Sequence, residues 1–192
     1  MKYYISDLHL FHFNSIKFDN RKFDTLDEMH NTIVNNWNNT ITNSDEVYVL
    51  GDIAMGKPRE ELINLIANLK GHKYLIVGNH DKINDYRYAK LFEKVVGYLE
   101  ITDNINGKAH KVVLSHYPIM MWNGQHRGAI HLYGHVHNSV EDDLYKEYLK
   151  QLNNSKTFTE ENTQALAINV GCMQPYMDYT PRTLKELISL DT

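Results

Sequence analysis

Five short apolar runs, each closing on a residue able to bind a metal, constrain this chain more than any other feature. KYYIS (Lys2 to Ser6) leads into Asp7 and His9, VYVL (Val47 to Leu50) into Asp52, and KYLIV (Lys73 to Val77) into Asn79, His80 and Asp81. KVVLS (Lys111 to Ser115) leads into His116, and HLYG, closing the run from Ile130 to Tyr133, into His135 and His137. Runs rich in β-branched and aromatic residues, bounded by Gly, Asn and Asp, read as strands. In open α/β sheets, ligands gather outside the carboxyl ends of the strands, where short loops and helix N-termini leave a crevice. A fold that aligns these five strand ends therefore gathers residues scattered from 7 to 137 into one site.

Helical patterns fill the gaps. Leu26, Met29, Ile33, Val34, Trp37 and Ile41 recur at helical spacing, with Thr25 and Glu28 as a capping box in front of them. Pro58 stands at the first position of a second helix, with Leu62, Ile63, Leu65, Ile66 and Leu69 on its apolar stripe. Thr183 and Glu186 repeat the capping signature before LKELISL. Two further β-rich runs cover Val95 to Ile101 and Ala165 to Val170. Strands alternating with helices imply βαβ units and largely parallel strands, at least in the first half. The 192 residues show no repeat and no Pro/Gly/Ser linker, so a single domain over 1–192 is expected, with a polar, mostly helical and solvated insertion at about 141–163.

The chemistry follows from the residue types. Seven candidate ligands (Asp7, His9, Asp52, Asn79, His116, His135 and His137) are too many for one four- to six-coordinate ion. Two ions sharing a bridging carboxylate use them all. Such a pair acidifies a bound water and clamps the attacking and leaving oxygens of an in-line displacement, which makes phosphate-ester hydrolysis the natural reaction. Oxygen and imidazole donors without thiolate suit Mn, Fe, Zn, Co or Ni. The lone Cys172 fits a reducing compartment, and a net charge of -4 argues against general affinity for nucleic acid or anionic membranes. No run approaches a membrane span, and the N-terminus meets Asp7 too early for a signal-peptide core. A cytoplasmic protein is expected.

DLH at 7 to 9, GD at 51 and 52, GNHD at 78 to 81, SHYP at 115 to 118 and GHVH at 134 to 137 resemble, in order, the five blocks of the calcineurin-like metallophosphoesterases, including their small bacterial and phage members. The resemblance spans about two thirds of the chain. It implies an α/β fold in which two mixed sheets form a β-sandwich flanked by helices. It also implies that Asp7, His9 and His137 hold one metal, that Asn79, His116 and His135 hold the other, and that Asp52 bridges them. A metal-bridging hydroxide would then attack a phosphate mono- or diester. His80 matches the residue that protonates the leaving oxygen or steadies the phosphate, and Asp81 is expected to orient it.

FHFNSIKFDNR resembles the stretch in which a His, an Asn and an Arg extend the site towards the phosphate, so His12, Asn14 and Arg21 are expected to bind substrate. Trp122, Asn123 and Arg127 are weaker candidates for the rim. His30, His72, His110, His126 and His131 match no block and read as surface or packed residues. The expected partner is a small phosphate ester, a nucleotide among the candidates, with two divalent ions, manganese included, as cofactors. The rival reading is a non-catalytic protein-interaction scaffold that retains the fold. Loss of ligands or of His80 would favour it, and all are present.

Overall fold

The computed structural model describes residues 1–56, 59–155 and 164–190. Two sheets build it. The first runs β4-β3-β2-β1-β9, from Lys94–Val96 (β4), His72–Ile76 (β3), Glu46–Val49 (β2) and Lys2–Ile5 (β1) to Arg182–Thr183 (β9). The second runs β5-β6-β7-β8, with Tyr98–Ile105 (β5), Lys108–Ser115 (β6), Ile130–Tyr133 (β7) and Leu166–Asn169 (β8). β1 to β4 pair in parallel and β9 antiparallel to β1; in the second sheet only β5 and β6 are antiparallel. This is the mixed two-sheet sandwich that the family resemblance implied.

In the second sheet, side-chain alternation decides which core a strand residue enters. Val112, Leu114, Ile130 and Leu132 face the main core with Tyr4, Ile5, Val49 and Leu75. Their neighbours Val113 and Tyr133 point the other way, into a smaller core. A period of two along each strand produces this division. The 15-residue helix Leu26–Thr40 (α2) buries Met29, Ile33 and Trp37 in the main core. Its N-cap Thr25 accepts from Glu28 N, but the Glu28 carboxylate accepts from Asp24 N, so the expected capping box is only half made. The box at Thr183 and Glu186 is complete, opening the terminal helix Leu184–Ile188 (α6).

The structure departs from the sequence expectations in several places. The run from Val95 to Ile101 is two strands, because at Gly97 the chain leaves the first sheet and enters the second. Strand propensity carries no sign of a change of partner. β9, two residues long, gave no periodic signal. The stretch expected as a solvated insertion forms Val140–Asn153 (α5), capped by Ser139, with Asp142, Tyr145 and Leu149 buried on one side against the second sheet. Its remainder, 156–163, lies outside the described residues, as does Pro58. The helix expected to begin there runs Glu60–Ala67 (α3). Two short helices, Phe13–Phe18 (α1) and Tyr86–Ala89 (α4), complete the structure.

The sheets meet at the carboxyl ends of β1 and β8. Ser6 N donates to Val170 O at 2.8 Å and Cys172 N to Ser6 O at 2.9 Å, joining the exit of β1 to that of β8. Asp7 N donates to Gly51 O, and Gly134 N to His116 O, tying the exits of β2, β6 and β7 into the same edge.

Candidate metal centre

The backbone turns sharply at this edge. Asp7, His9, Asp52, His135 and His137 all have positive φ, between 49° and 69°. This left-handed region costs a non-glycine residue about 1–3 kcal/mol and persists only where surrounding contacts enforce it. Here His9 N donates to Asp52 O at 3.0 Å and Leu10 N to Ile53 O at 2.8 Å, which locks the β1 exit against the β2 exit. Each side chain is thereby swung off its strand and into the crevice. Glycines make the room: a Cβ on Gly134 would run into Ser6 Oγ and the Asp7 carboxylate, and one on Gly78 into the Asp52 carboxylate.

Two clusters result. In the first, the Nε2 atoms of His9 and His137 converge to 3.0 Å, with Asp7 Oδ1 at 4.0 and 3.6 Å from them. In the second, His116 Nε2 lies 3.5 Å from Asp52 Oδ2 and 3.1 Å from Asn79 Oδ1, and His135 completes the group. Within each set of Asp and two His, the nearest donor atoms all fall within 4.8 Å of one another. Asp52 Oδ2 is also 3.9 Å from His9 Nε2, so one carboxylate reaches both clusters. Converging imidazole and carboxylate donors with no thiolate fit a pair of divalent transition ions.

Charge inside the crevice is strongly shaped by its walls. Burial pushes His9 down to about 4, with the Asp7 charge opposing. Burial works against ionising Asp52, but the hydrogen bond and charge of His116 bring its carboxyl down to about 2. For His137, burial is outweighed by hydrogen bonds to Asp19 and Asp7, which raise it to about 10. The crevice thus holds ionised carboxylates beside imidazoles, and a cation binding at His137 must displace a proton from its ring.

The other expected site residues divide. His80 and His12 line a cavity of about 230 Å³ over the clusters, together with Ser15, Phe18 and Met55. His80 N donates to Asp52 Oδ1 at 2.9 Å and its Nε2 lies 3.9 Å from Asp52 Oδ2. Asp81 does not orient His80. Its buried carboxylate accepts from Gly78 N, Asp52 N, Ile53 N and Tyr88 Oη at 2.8 to 3.2 Å, which fixes the GNHD loop against the GD loop. Arg21 is not on the cavity wall either. It is buried below, donating to the carbonyls of Asp7 and Leu8 and to Asp19. Asn14 is exposed on α1 and does not line the cavity. Trp122 donates to Ala129 O inside the smaller core, Asn123 donates to Glu100, and Arg127 lines a separate cavity, so none of the three forms the rim.

Sequence reasoning missed several supports. Asp19 Oδ1 accepts from His137 Nδ1 at 2.6 Å, and Asn169 and Gln174 both donate to His137 O at 2.8 Å. FDNR held a charge pair two residues apart as its only signal. Asn169 and Gln174 lie beyond the last motif and gave none.

An α/β sandwich with two adjoining Asp/His clusters where its strand ends meet defines a metallophosphoesterase-type scaffold. Residues 3–170 match the family model described as calcineurin-like phosphoesterase, and the chain belongs to that family. Among similar proteins, an uncharacterized protein of Methanocaldococcus jannaschii is 35% identical over 130 residues, covering 62% of this chain and 74% of its own. The gene 66 protein of Mycobacterium phage L5 is 28% identical over 162 residues, covering 72% and 78%. A crystal structure of an Aquifex aeolicus protein of unknown function superposes with a TM-score of 0.66 at 23% identity, over 98% of this chain and 97% of that one, and so shares the fold.

Proposed function

We propose that this protein, acting as a single domain, is a phosphoric ester hydrolase that uses two divalent ions. Asp7, His9 and His137 would hold one, Asn79, His116 and His135 the other, and Asp52 would be shared. The position of Asp52 carries the reading: its Oδ2 lies 3.5 Å from His116 Nε2 and 3.9 Å from His9 Nε2, one ring from each cluster. When bound, such a pair supplies Lewis acidity towards the phosphoryl oxygens and lowers the pKa of water at the site.

The chain's own residues do the rest. Asp81 pins the GNHD loop, so the ring of His80, partly exposed, stands at the cavity mouth beside Asp52. There it is placed to hydrogen-bond the phosphate or to protonate the departing oxygen. His12 lines the same cavity, and Phe18 and Met55 offer apolar surface to the ester group. A cavity of about 230 Å³ suits a small or flexible phosphate ester, nucleotides included.

The test is a screen of metal-depleted protein reloaded with Mn, Fe, Zn, Co or Ni against monoesters, nucleotides and linear and cyclic diesters. Turnover that depends on added metal and falls with Asp52→Asn is the expected result. Protein that binds two ions yet hydrolyses none of these esters would overturn the assignment.

A further inference from the structure

The side chain of Asp19 is 3% exposed and both of its oxygens are engaged. Oδ1 accepts from His137 Nδ1 at 2.6 Å, while Oδ2 accepts from Arg21 Nε at 2.9 Å and lies 2.8 Å from Arg21 Nη2. The remaining face of that guanidinium donates to Leu8 O and Asp7 O, both at 2.9 Å. Tyr179 packs against its plane, the Arg21 Cζ standing 5.9 Å from the ring centroid. One buried fork therefore ties the segment carrying Asp7 and His9 to Asp19, and Asp19 to the loop carrying His137.

An ionised carboxylate has no proton to give, so it can only accept at His137 Nδ1. When Nε2, the nitrogen that faces His9 and Asp7, gives up its proton to bind a cation, the remaining proton is thereby held on Nδ1. We propose that Asp19, held by Arg21, is a positioning residue that sets the tautomer and orientation of His137, and so governs the affinity of one of the two divalent ions. The proposal rests on the two-ion reading above. Its ion is the one at Asp7, His9 and His137. His116 in the second cluster takes its orientation from a main-chain acceptor instead, donating from Nδ1 to Leu50 O at 2.7 Å. Changing Asp19 therefore separates the two sites.

Asp19→Asn is the informative variant because it keeps the shape and removes one acceptor. Arg21 still demands an oxygen. If the new amide turns its oxygen to Arg21, its NH2 faces His137 Nδ1 and drives the imidazole proton onto Nε2, the ligating atom. If it turns the other way, two donors confront each other at Arg21. Partners of this kind alter metal affinity by about 10- to 100-fold.

The experiment is a titration of the metal-free full chain with Zn or Mn by calorimetry, on the parent, Asp19→Asn and Arg21→Lys. Two-bond 1H–15N spectra of the histidine rings in the zinc-loaded proteins accompany it. The parent should take up about two ions. Asp19→Asn should bind one of them about 10- to 100-fold more weakly and the other nearly as before, with the His137 ring alone changing its nitrogen shifts. Arg21→Lys, which loses the fork but keeps the charge, should weaken the same ion to a smaller degree. The ion retained by Asp19→Asn shows that the variant is folded. Unchanged affinity for both ions, or equal weakening of both, would overturn the proposal. A parent that binds fewer than two ions would instead bring down the reading on which it rests.

Discussion

At the scale of single residues, His80 and His131 show how surroundings divide one side-chain type into different roles. His80 stands over the clusters with its ring partly open to the cavity. If it protonates the leaving oxygen, His80→Ala should slow alkyl phosphate esters by about 10²–10⁴-fold and nitrophenyl esters far less, because a nitrophenolate departs without a proton. Equal losses on both leaving groups, with metal content unchanged, would make it a phosphate-positioning group. His131 is fully buried beside Trp122, with Nδ1 donating to Val113 O and Nε2 accepting from Ile119 N, both at 3.1 Å. Burial pushes it from 6.5 down to about 4. Between those values the unfolded chain takes up a proton that the folded chain refuses, so stability rises with pH through this window and is lost as pH falls through it. The full effect is up to about 3 kcal/mol. Thermal midpoints of parent and His131→Gln, compared from pH 7 to 4.5, should converge as acid is added; parallel curves would remove His131 from the account.

At the scale of elements, the functional geometry belongs to strand exits. Asp7, Asp52 and His135 follow β1, β2 and β7 within three residues, each with positive φ, and Gly134 and Gly78 keep side chains out of the space the Asp7 and Asp52 carboxylates need. Gly134→Ala tests this directly. The added carbon meets Ser6 Oγ and the Asp7 carboxylate, which also accepts from His135 N at 3.1 Å, so something must move. A cost of about 1–3 kcal/mol in stability is expected from overpacking, together with weaker ion uptake, read by chemical denaturation and elemental analysis. A variant as stable as the parent that still carries two ions would show that the loop relaxes freely. Helix α5 makes the complementary point: EDDLYKEYLKQLN looks wet by composition, yet Asp142, Tyr145 and Leu149 form a buried stripe, with the Asp142 carboxylate taking hydrogen bonds from Tyr133 and Asn169.

At the scale of the whole molecule, the two sheets must be held in one relation for the two clusters to adjoin. Tyr4, fully buried on β1, donates to Asp103 on β5 at 2.8 Å, a bond that crosses from one sheet to the other. Tyr4→Phe should cost about 1.5–3 kcal/mol, the usual worth of a hydrogen bond to a charged group, measured by denaturant unfolding. No loss would mean that apolar packing alone sets the sheet spacing. Among the described residues, no helix is long and apolar enough to cross a membrane. The sequence by itself determined that strands alternate with helices and that Asp7, His9, Asp52, Asn79, His116, His135 and His137 follow strand ends, because apolar period, capping and strand-end position are local properties. It also carried the five ordered blocks that named the family. Tertiary structure alone decided that Gly97 divides a run between two sheets, that Asp81 holds a loop, and that Arg21 lies beneath the centre with Asp19. The reason is physical: a charged side chain is written the same way whether it faces substrate or a buried carbonyl, and only the packing of distant segments settles which partner it meets.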